Sequence, residues 1–97
     1  MILEIAFIKV APKNHAEFEK SVRKAVTEIL STAKGFIDFE IHRGIEQENT
    51  YALHIHWQTL EDHTIGFRQS ELFTQWRGQI GVYFEEAPVV EHWKSVD

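Results

Sequence analysis

Five ionisable side chains on two neighbouring runs of the sequence have the types and spacing of metal ligands. His54 and His56 are separated by one residue in the run TYALHIHW, which would place both imidazoles on one face of a strand about 7 Å apart. Strands use this arrangement to bind zinc or iron, and His42, Glu40 or Asp38 of the preceding run could add ligands. The same side chains could instead pair with one another across an interface between two copies of the chain, or simply lie exposed to solvent. Because no third and fourth ligand can be named, we predict no metal and assign all five residues to an interface.

A second group of residues, within the segment 57–83, could line a cavity for a flat aromatic ligand. It combines large aromatic rings with few polar side chains, as small-molecule sites do. Its members are Trp57, His63, Phe67, Phe73, Trp76, Arg77 and Tyr83. If the helix that carries them lies over the sheet, they meet the inward face of Tyr51, Leu53 and Ile55. The alternative is that these aromatic side chains only fill the core beneath an irregular helix.

Composition and missing motifs argue against several other functions. The chain has 10 Lys and Arg against 15 Asp and Glu, and its cations are scattered singly, which disfavours a nucleic-acid partner. It contains no cysteine, no nucleophile-elbow motif and no glycine-rich phosphate loop. Its first residues lack the basic segment and cleavage site of a signal peptide, and no apolar run reaches ~18 residues. We therefore expect a cytoplasmic protein without a membrane partner.

The elements that must position these residues follow from hydrophobic periodicity. Ile2 to Val10 is apolar at both alternating sets of positions, which predicts a central strand covered on two sides. Apolar residues from Phe18 to Ala33 recur at steps of three and four, which predicts a helix. Asn14 with Glu17 resembles a capping box at its start, and Gly35 is placed to end it.

The rest of the chain predicts a hairpin, a broken helix and a last strand. Phe36 to Ile45 and Tyr51 to Trp57 alternate between apolar and polar residues on either side of a polar turn. Thr59, with Asp62 three residues later, is placed to cap the second helix. Glycines interrupt this helix, and a final extended run covers Val89 to Val96.

The element order is βαββαβ within a single domain of residues 1–97. This order predicts an α+β, ferredoxin-like sandwich, a four-stranded antiparallel sheet with helices on one face. Helices on one face leave the other face uncovered, and a chain of this length has a thin core. We therefore expect a homodimer that packs sheet against sheet.

Three pieces of the sequence, in chain order, resemble the antibiotic biosynthesis monooxygenase (ABM) family. They are Gly35–Glu40 after the first helix, Trp57–His63, and the Phe73–Trp76 stretch before a proline-led last strand. The Trp57–His63 run is the most specific, since it is similar to the family's W-E-S-x-E-x-H pattern. The resemblance covers nearly the whole chain and implies a dimeric α/β barrel with one pocket per subunit, between sheet and helices.

The resemblance also implies an activity. The family includes cofactor-free oxygenases of anthrone-like polyketides, quinol monooxygenases and haem-degrading enzymes. We expect a cofactor-independent monooxygenase that uses molecular oxygen on a small aromatic substrate, a quinol, phenol or anthrone-like compound. Trp57 falls on a tryptophan that such enzymes place in the pocket, and His63 could act as base or hydrogen-bond partner, so these two are the catalytic candidates. The predicted substrate-binding residues are Phe7, Tyr51, Leu53, Phe67, Phe73, Trp76, Arg77 and Tyr83.

Two departures from the family pattern keep other functions open. Leu53 stands where the anthrone-oxidising type has an asparagine, so one polar contact is missing. The asparagine, tryptophan and iron-ligating histidine of the haem-degrading type correspond approximately to Ala6, Phe67 and the Trp76–Arg77 pair, so the haem ligand is missing. The main alternative is a non-oxygenase that binds or isomerises a small aromatic compound on the same fold, and haem degradation is the weaker one.

Overall fold

The computed structural model describes residues 1–97 as a four-stranded antiparallel sheet with helices packed against one face. The strands are β1 (Ile2–Lys9), β2 (Phe36–Arg43), β3 (Thr50–Trp57) and β4 (Val89–Trp93), in the spatial order β2-β3-β1-β4. The main helices are α1 (His15–Glu28) and α2 (Glu71–Ile80), and a π-helical turn at Asp62–Phe67 precedes α2. This architecture confirms the predicted α+β, ferredoxin-like fold.

Strand β1 lies at the centre of the sheet, where it pairs with β3 on one side and β4 on the other. Its even-numbered positions face the helices, and three of them, Glu4, Ala6 and Ile8, are buried. Its odd-numbered positions face the opposite side, where Ile5 and Phe7 stay half-buried. A strand that is apolar on both faces thus supplies the core on one side and an uncovered apolar strip on the other.

The core fills the layer between the sheet and the helices. Strand β3 contributes one residue in two to this layer, and α1 contributes residues spaced three and four apart, because these are the periods of a strand and a helix. The buried residues from these two elements are Tyr51, Leu53, Ile55, Trp57, Phe18, Val22 and Ala25. Each large apolar side chain buried in this way stabilises the fold by roughly 1.5–3 kcal/mol.

Helix α1 begins and ends differently from the prediction. Asn14 makes no side-chain capping bond, because it belongs to a short 3-10 turn that precedes the helix. The helix stops at Glu28 rather than near Gly35, and a second 3-10 turn follows in which Thr32 Oγ1 donates to the carbonyl oxygen of Ile29 (2.7 Å). Such hydroxyl bonds compete with the helical ladder. Gly35 lies in the turn into β2 with φ of 86°, a conformation that favours glycine.

The second helical segment is broken, as the sequence predicted, and its first part is a π-helical turn. The hydroxyl of Thr59 accepts a hydrogen bond from the backbone N–H of Asp62 (3.1 Å), which confirms the predicted cap. Within the turn, the N–H of Arg68 donates to the carbonyl oxygen of His63 five residues earlier (3.0 Å). His63 and Phe67, four residues apart, both lie on the buried side of this turn.

Two strands differ from the prediction in detail. A bulge between Phe36 and Asp38 in β2 moves Ile37 out of the inward-facing row, and 41% of its surface is exposed. Strand β4 ends at Trp93 rather than at Val96. Separately, no helix combines the length and the apolar composition needed to cross a membrane.

Candidate active site

A cavity of about 270 Å³ lies between the sheet and the second helical segment. Ten of its fifteen lining residues are hydrophobic, and only a few polar groups reach it, which is the composition of a small-molecule site. The lining consists of Glu4, Ala6, Ile8, Leu30, Leu53, Ile55, His63, Phe67, Arg68, Phe73, Trp76, Arg77, Phe84, Pro88 and Val90.

A larger cleft of about 780 Å³ lies between α1 and the β2–β3 hairpin, but its lining is mostly polar and its groups already satisfy one another. The hydroxyl of Tyr51 donates to Glu19 (2.6 Å), and Arg43 lies 4.0 Å from the same carboxylate. The smaller cavity is the more enclosed and the more apolar of the two. We therefore place the candidate site in the smaller cavity.

Glu4 is the carboxyl group of this cavity. It lies on β1 at an inward-facing position and is only 5% exposed. Trp57 Nε1 donates to Glu4 Oε1 (2.9 Å), and His63 Nε2 lies 3.3 Å from the same oxygen, so Oε2 remains for a ligand. Burial raises the pKa of Glu4 to about 7, and the Trp57 hydrogen bond and the charge of Arg68 limit that rise. At neutral pH this group can either give or accept a proton.

His63 holds Glu4 from the π-helical turn. It is 3% exposed, and its ring stacks on Trp57 with centroids 5.3 Å apart and planes 21° apart. Burial, and next the charges of Arg68 and His92, lower the pKa of His63 to about 3. The imidazole is therefore neutral at physiological pH and has one N–H to donate.

A second imidazole, that of His92, continues this contact to the surface. His63 Nδ1 and His92 Nε2 are 2.8 Å apart, so one of the two nitrogens donates to the other. His92 lies beside Glu4 in the pairing of β1 with β4, and it is exposed. Burial, and next the charge of Arg68, lower the pKa of His92 as well. Glu4, His63 and His92 thus form a row from the cavity to solvent.

Glu4, Arg68 and His92 were not among the site residues predicted from the sequence. Glu4 had a usable signal, since it is the one charged residue at an inward-facing position of an otherwise apolar central strand. Arg68 and His92 had none, because their places depend on the π-helical turn and on the register of β4.

Six of the sequence-predicted residues line the cavity: Leu53, His63, Phe67, Phe73, Trp76 and Arg77. Trp57 lies one layer behind them, where it contacts both Glu4 and His63. Its part in any reaction is therefore exerted through these two side chains.

Three predicted binding residues lie elsewhere, which corrects the prediction. Phe7 points to the opposite face of the sheet, because it occupies an odd-numbered position of β1. Tyr51 faces the helices but lies at the far end of β3, against Phe18. Tyr83 packs on Phe18, and its hydroxyl lies 3.4 Å from Ser21 Oγ.

The five residues assigned to an interface project from the face of the sheet that no helix covers. His56 Nδ1 lies 2.6 Å from Asp38 Oδ1, and His42 Nε2 lies 2.7 Å from Glu40 Oε1. The ring of His54 is 4.8 Å from that of His42. Burial, and then the neighbouring His42 charge, lower the pKa of His54. Each carboxylate of the group thus has an imidazole partner, and the interface itself stays a prediction.

The chain belongs to the antibiotic biosynthesis monooxygenase family, whose sequence model matches residues 1–79. A Bordetella bronchiseptica protein that carries the family name is 39% identical, and its crystal structure matches with a TM-score of 0.91 over 98% of this chain and 96% of that one. The uncharacterized protein YczJ of Bacillus subtilis (strain 168) is 34% identical over 96 residues, which are 99% of this chain and 100% of YczJ.

A more distant structure shares the fold alone. It is the monooxygenase ActVA-Orf6 of Streptomyces coelicolor in complex with nanaomycin D, which is 11% identical with a TM-score of 0.83 over 99% of this chain and 88% of that one. Membership of the family and the likeness to the Bordetella protein support a general monooxygenase-like function for this chain.

Proposed function

We propose that this protein is a cofactor-independent monooxygenase that oxidises a small phenolic, quinol or anthrone-like compound with molecular oxygen. The observation that carries the proposal is the position of Glu4, a carboxyl group inside an apolar, aromatic cavity, with Oε1 held by Trp57 and His63. A base whose pKa lies near the working pH is the most efficient kind of general base.

The reaction needs only the substrate, dioxygen and this base. For an anthrone-like substrate, Glu4 accepts a proton from the ring methylene, and the substrate anion passes one electron to dioxygen. The two radicals join as a peroxide, to which Glu4 returns its proton. Loss of water then leaves a carbonyl: one oxygen atom stays on carbon, and the other departs with the two methylene hydrogens. The substrate supplies all the electrons, so no cofactor is required.

His63 and Trp57 have supporting roles in this proposal. A histidine with a pKa of about 3 is a poor base at neutral pH, and both its ring nitrogens already have partners. We therefore assign the base to Glu4 and make His63 a positioning residue, which fixes the carboxyl group from one side as Trp57 does from the other. Enclosure by Phe67, Phe73 and Trp76 keeps water from the substrate anion.

Oxygen uptake tests the proposal directly. Metal-stripped protein should consume oxygen with at least one compound from a panel of quinols, naphthols and anthrones. Glu4→Gln keeps the size of the side chain but cannot accept a proton, so the rate should fall roughly 10²–10⁴-fold while the ligand still binds. Glu28→Gln, at the exposed end of α1, is the matched control and should react like the parent.

Two outcomes would contradict the proposal. If Glu4→Gln consumes oxygen as fast as the parent, the base lies elsewhere. If the parent binds members of the panel in calorimetry but consumes no oxygen with any of them, the cavity serves binding or isomerisation instead. Hydrogen–deuterium exchange at the acidic carbon of the bound compound would then separate these two alternatives.

A further inference from the structure

Two arginines of the cavity, Arg68 and Arg77, form no ion pair with an acidic side chain, although the charge of Arg68 acts on Glu4 from a greater distance. The ion pairs of the chain involve Lys9, His42, Arg43, His56 and His63, and neither arginine is among them. The guanidinium group of Arg77 instead lies over two aromatic rings, 5.9 Å from the centroid of Phe73 and 5.4 Å from that of Phe84. Both arginines nevertheless line the cavity.

Their positions are set by the fold. The backbone N–H of Arg68 closes the π-helical turn on the carbonyl oxygen of His63, which anchors its side chain beside the polar end of the cavity. Arg77 lies in the last turn of α2, and its aromatic neighbours hold its planar group at the cavity wall. The two charges therefore border the same enclosed space from two elements.

The charge of the cavity is opposite to that of the protein. The ionisable residues in its lining are Glu4, His63, Arg68 and Arg77. The two arginines contribute +2, His63 is neutral and Glu4 contributes between 0 and −1, so the cavity carries between +1 and +2. The whole chain carries −5. A cationic cavity in an acidic protein attracts an anion and disfavours a cation.

We propose that the substrate of this cavity carries an anionic group, a carboxylate attached to the aromatic ring system. Its rings lie against Phe67, Phe73 and Trp76, its carboxylate meets the free guanidinium groups, and the group to be deprotonated faces Glu4. The planar donor fork of arginine matches a carboxylate in two parallel hydrogen bonds. The inference deepens the proposed function, on which it rests for the choice of an aromatic substrate.

Binding measured without oxygen tests this substrate class. In anaerobic calorimetry at low salt, 1-hydroxy-2-naphthoate should bind at least about tenfold more tightly than the neutral 1-hydroxy-2-naphthamide, since a charge-assisted pair replaces a neutral contact. Added salt should lower the affinity for the acid and leave the affinity for the amide unchanged. A sulfonate analogue, 1-naphthol-2-sulfonate, shows whether any anion is accepted or a carboxylate is preferred.

Variants of the two arginines show which residues cause the preference for the acid over the amide. Arg77→Gln and Arg68→Gln should each lower the affinity for the acid roughly tenfold and leave the affinity for the amide unchanged. The affinity of Arg77→Lys for the acid should lie between those of Arg77→Gln and the parent. Arg23→Gln, on the exposed side of α1, is the matched control. Circular dichroism and melting curves verify that each variant folds. If Arg77→Gln does not fold, Arg68→Gln carries the test alone, because Arg68 is an exposed residue at the end of the turn.

The proposal is overturned if the parent binds acid and amide equally, binds neither, or keeps its preference in both glutamine variants. Its failure can be told from that of the proposed function. If the acid binds through the arginines but oxygen is consumed with no compound, the proposed substrate class is supported and the proposed oxygenase activity is wrong. If neutral quinols consume oxygen and the acid is excluded, the oxygenase stands and the substrate class is wrong.

Discussion

The two faces of the sheet hold the same kind of pair, a histidine and a carboxylate, in opposite surroundings. On the helix side, His63 and Glu4 are 3.3 Å apart and almost fully buried. On the open side, His56 and Asp38 are 2.6 Å apart, and their side chains are 34% and 63% exposed. Water already solvates the open pair, so such a pair contributes only ~0–1 kcal/mol. Burial favours the neutral form of both groups in the other pair, so the surroundings, and not the residue types, set the buried pair apart from the surface pair.

The largest effect should come from truncating the buried histidine. His63→Ala removes a buried ring packed on Trp57 and its contacts with Glu4 and His92, so the free energy of unfolding should fall by about 3 kcal/mol. His56→Ala, on the open face, should cost less than ~1 kcal/mol. Urea unfolding of both variants measures the difference. Equal losses would mean that the two faces do not differ as the structure indicates.

An effect of similar size should appear in the pH dependence of stability. The pKa of Glu4 is about 7 in the fold against an ordinary value of 4.5, so between these pH values the folded chain keeps a proton that the unfolded chain has lost. The contribution of Glu4 to stability therefore falls as pH rises through this window, by about 3 kcal/mol in all, while that of His63 rises over part of the same window. Glu4→Gln has no carboxyl group to titrate, so it should lack this loss of stability. The free energy of unfolding of the variant should therefore increase relative to that of the parent between pH 5 and pH 8.

The titration of His63 below pH 6.5 provides the internal control for that experiment. The pKa of His63 is about 3 in the fold against an ordinary value of 6.5, so the unfolded chain binds a proton first as pH falls. Stability from this group is present above pH 6.5 and is lost as pH falls toward 3. Glu4→Gln should still lose this stability as pH falls, because His63 is unchanged in the variant. A variant that follows the parent over the whole range would show that Glu4 is not the group responsible.

The smallest expected effect concerns assembly through the open face. Ile5 lies on this face between His54 of β3 and Glu91 of β4. We expect a dimer at micromolar concentration, and Ile5→Glu should weaken it at least tenfold, because it places a charge in the apolar strip. Ile45→Glu, on the exposed hairpin turn, is the matched control. Analytical ultracentrifugation measures dimer dissociation for both variants and the parent. A parent that sediments as a stable monomer would contradict this prediction.

Sequence periodicity predicted the fold because each element has one period and one buried face. The alternation in β3 and the three-four spacing of Phe18 and Val22 both match the buried side of the structure. Periodicity was less informative about the candidate site, since it assigns a residue to a face but not to a position along the element. Tyr51 and Leu53 share a face of β3, yet only Leu53 reaches the cavity.

Other features of the site depend on contacts distant in sequence. His92 reaches His63 only through the pairing of β4 with β1, across 29 positions of the chain. Arg68 borders the cavity only because a π-helical turn ends there. Neither the register nor this turn has a sequence signal of its own. Glu4 did have one, and a search of inward-facing strand positions for a lone charge would have found it.

The π-helical turn carries one residue more than an ordinary helical turn. In an α-helix a backbone N–H donates to the carbonyl oxygen four residues earlier, whereas the N–H of Arg68 donates to that of His63, five residues earlier. Removing a single residue such as Thr64 would turn this bond into an ordinary helical one, and His63 and Phe67 would still share a face at a spacing of three residues. We therefore expect homologues that lack one residue here to keep the fold and the same side chains at the cavity, on a regular helix.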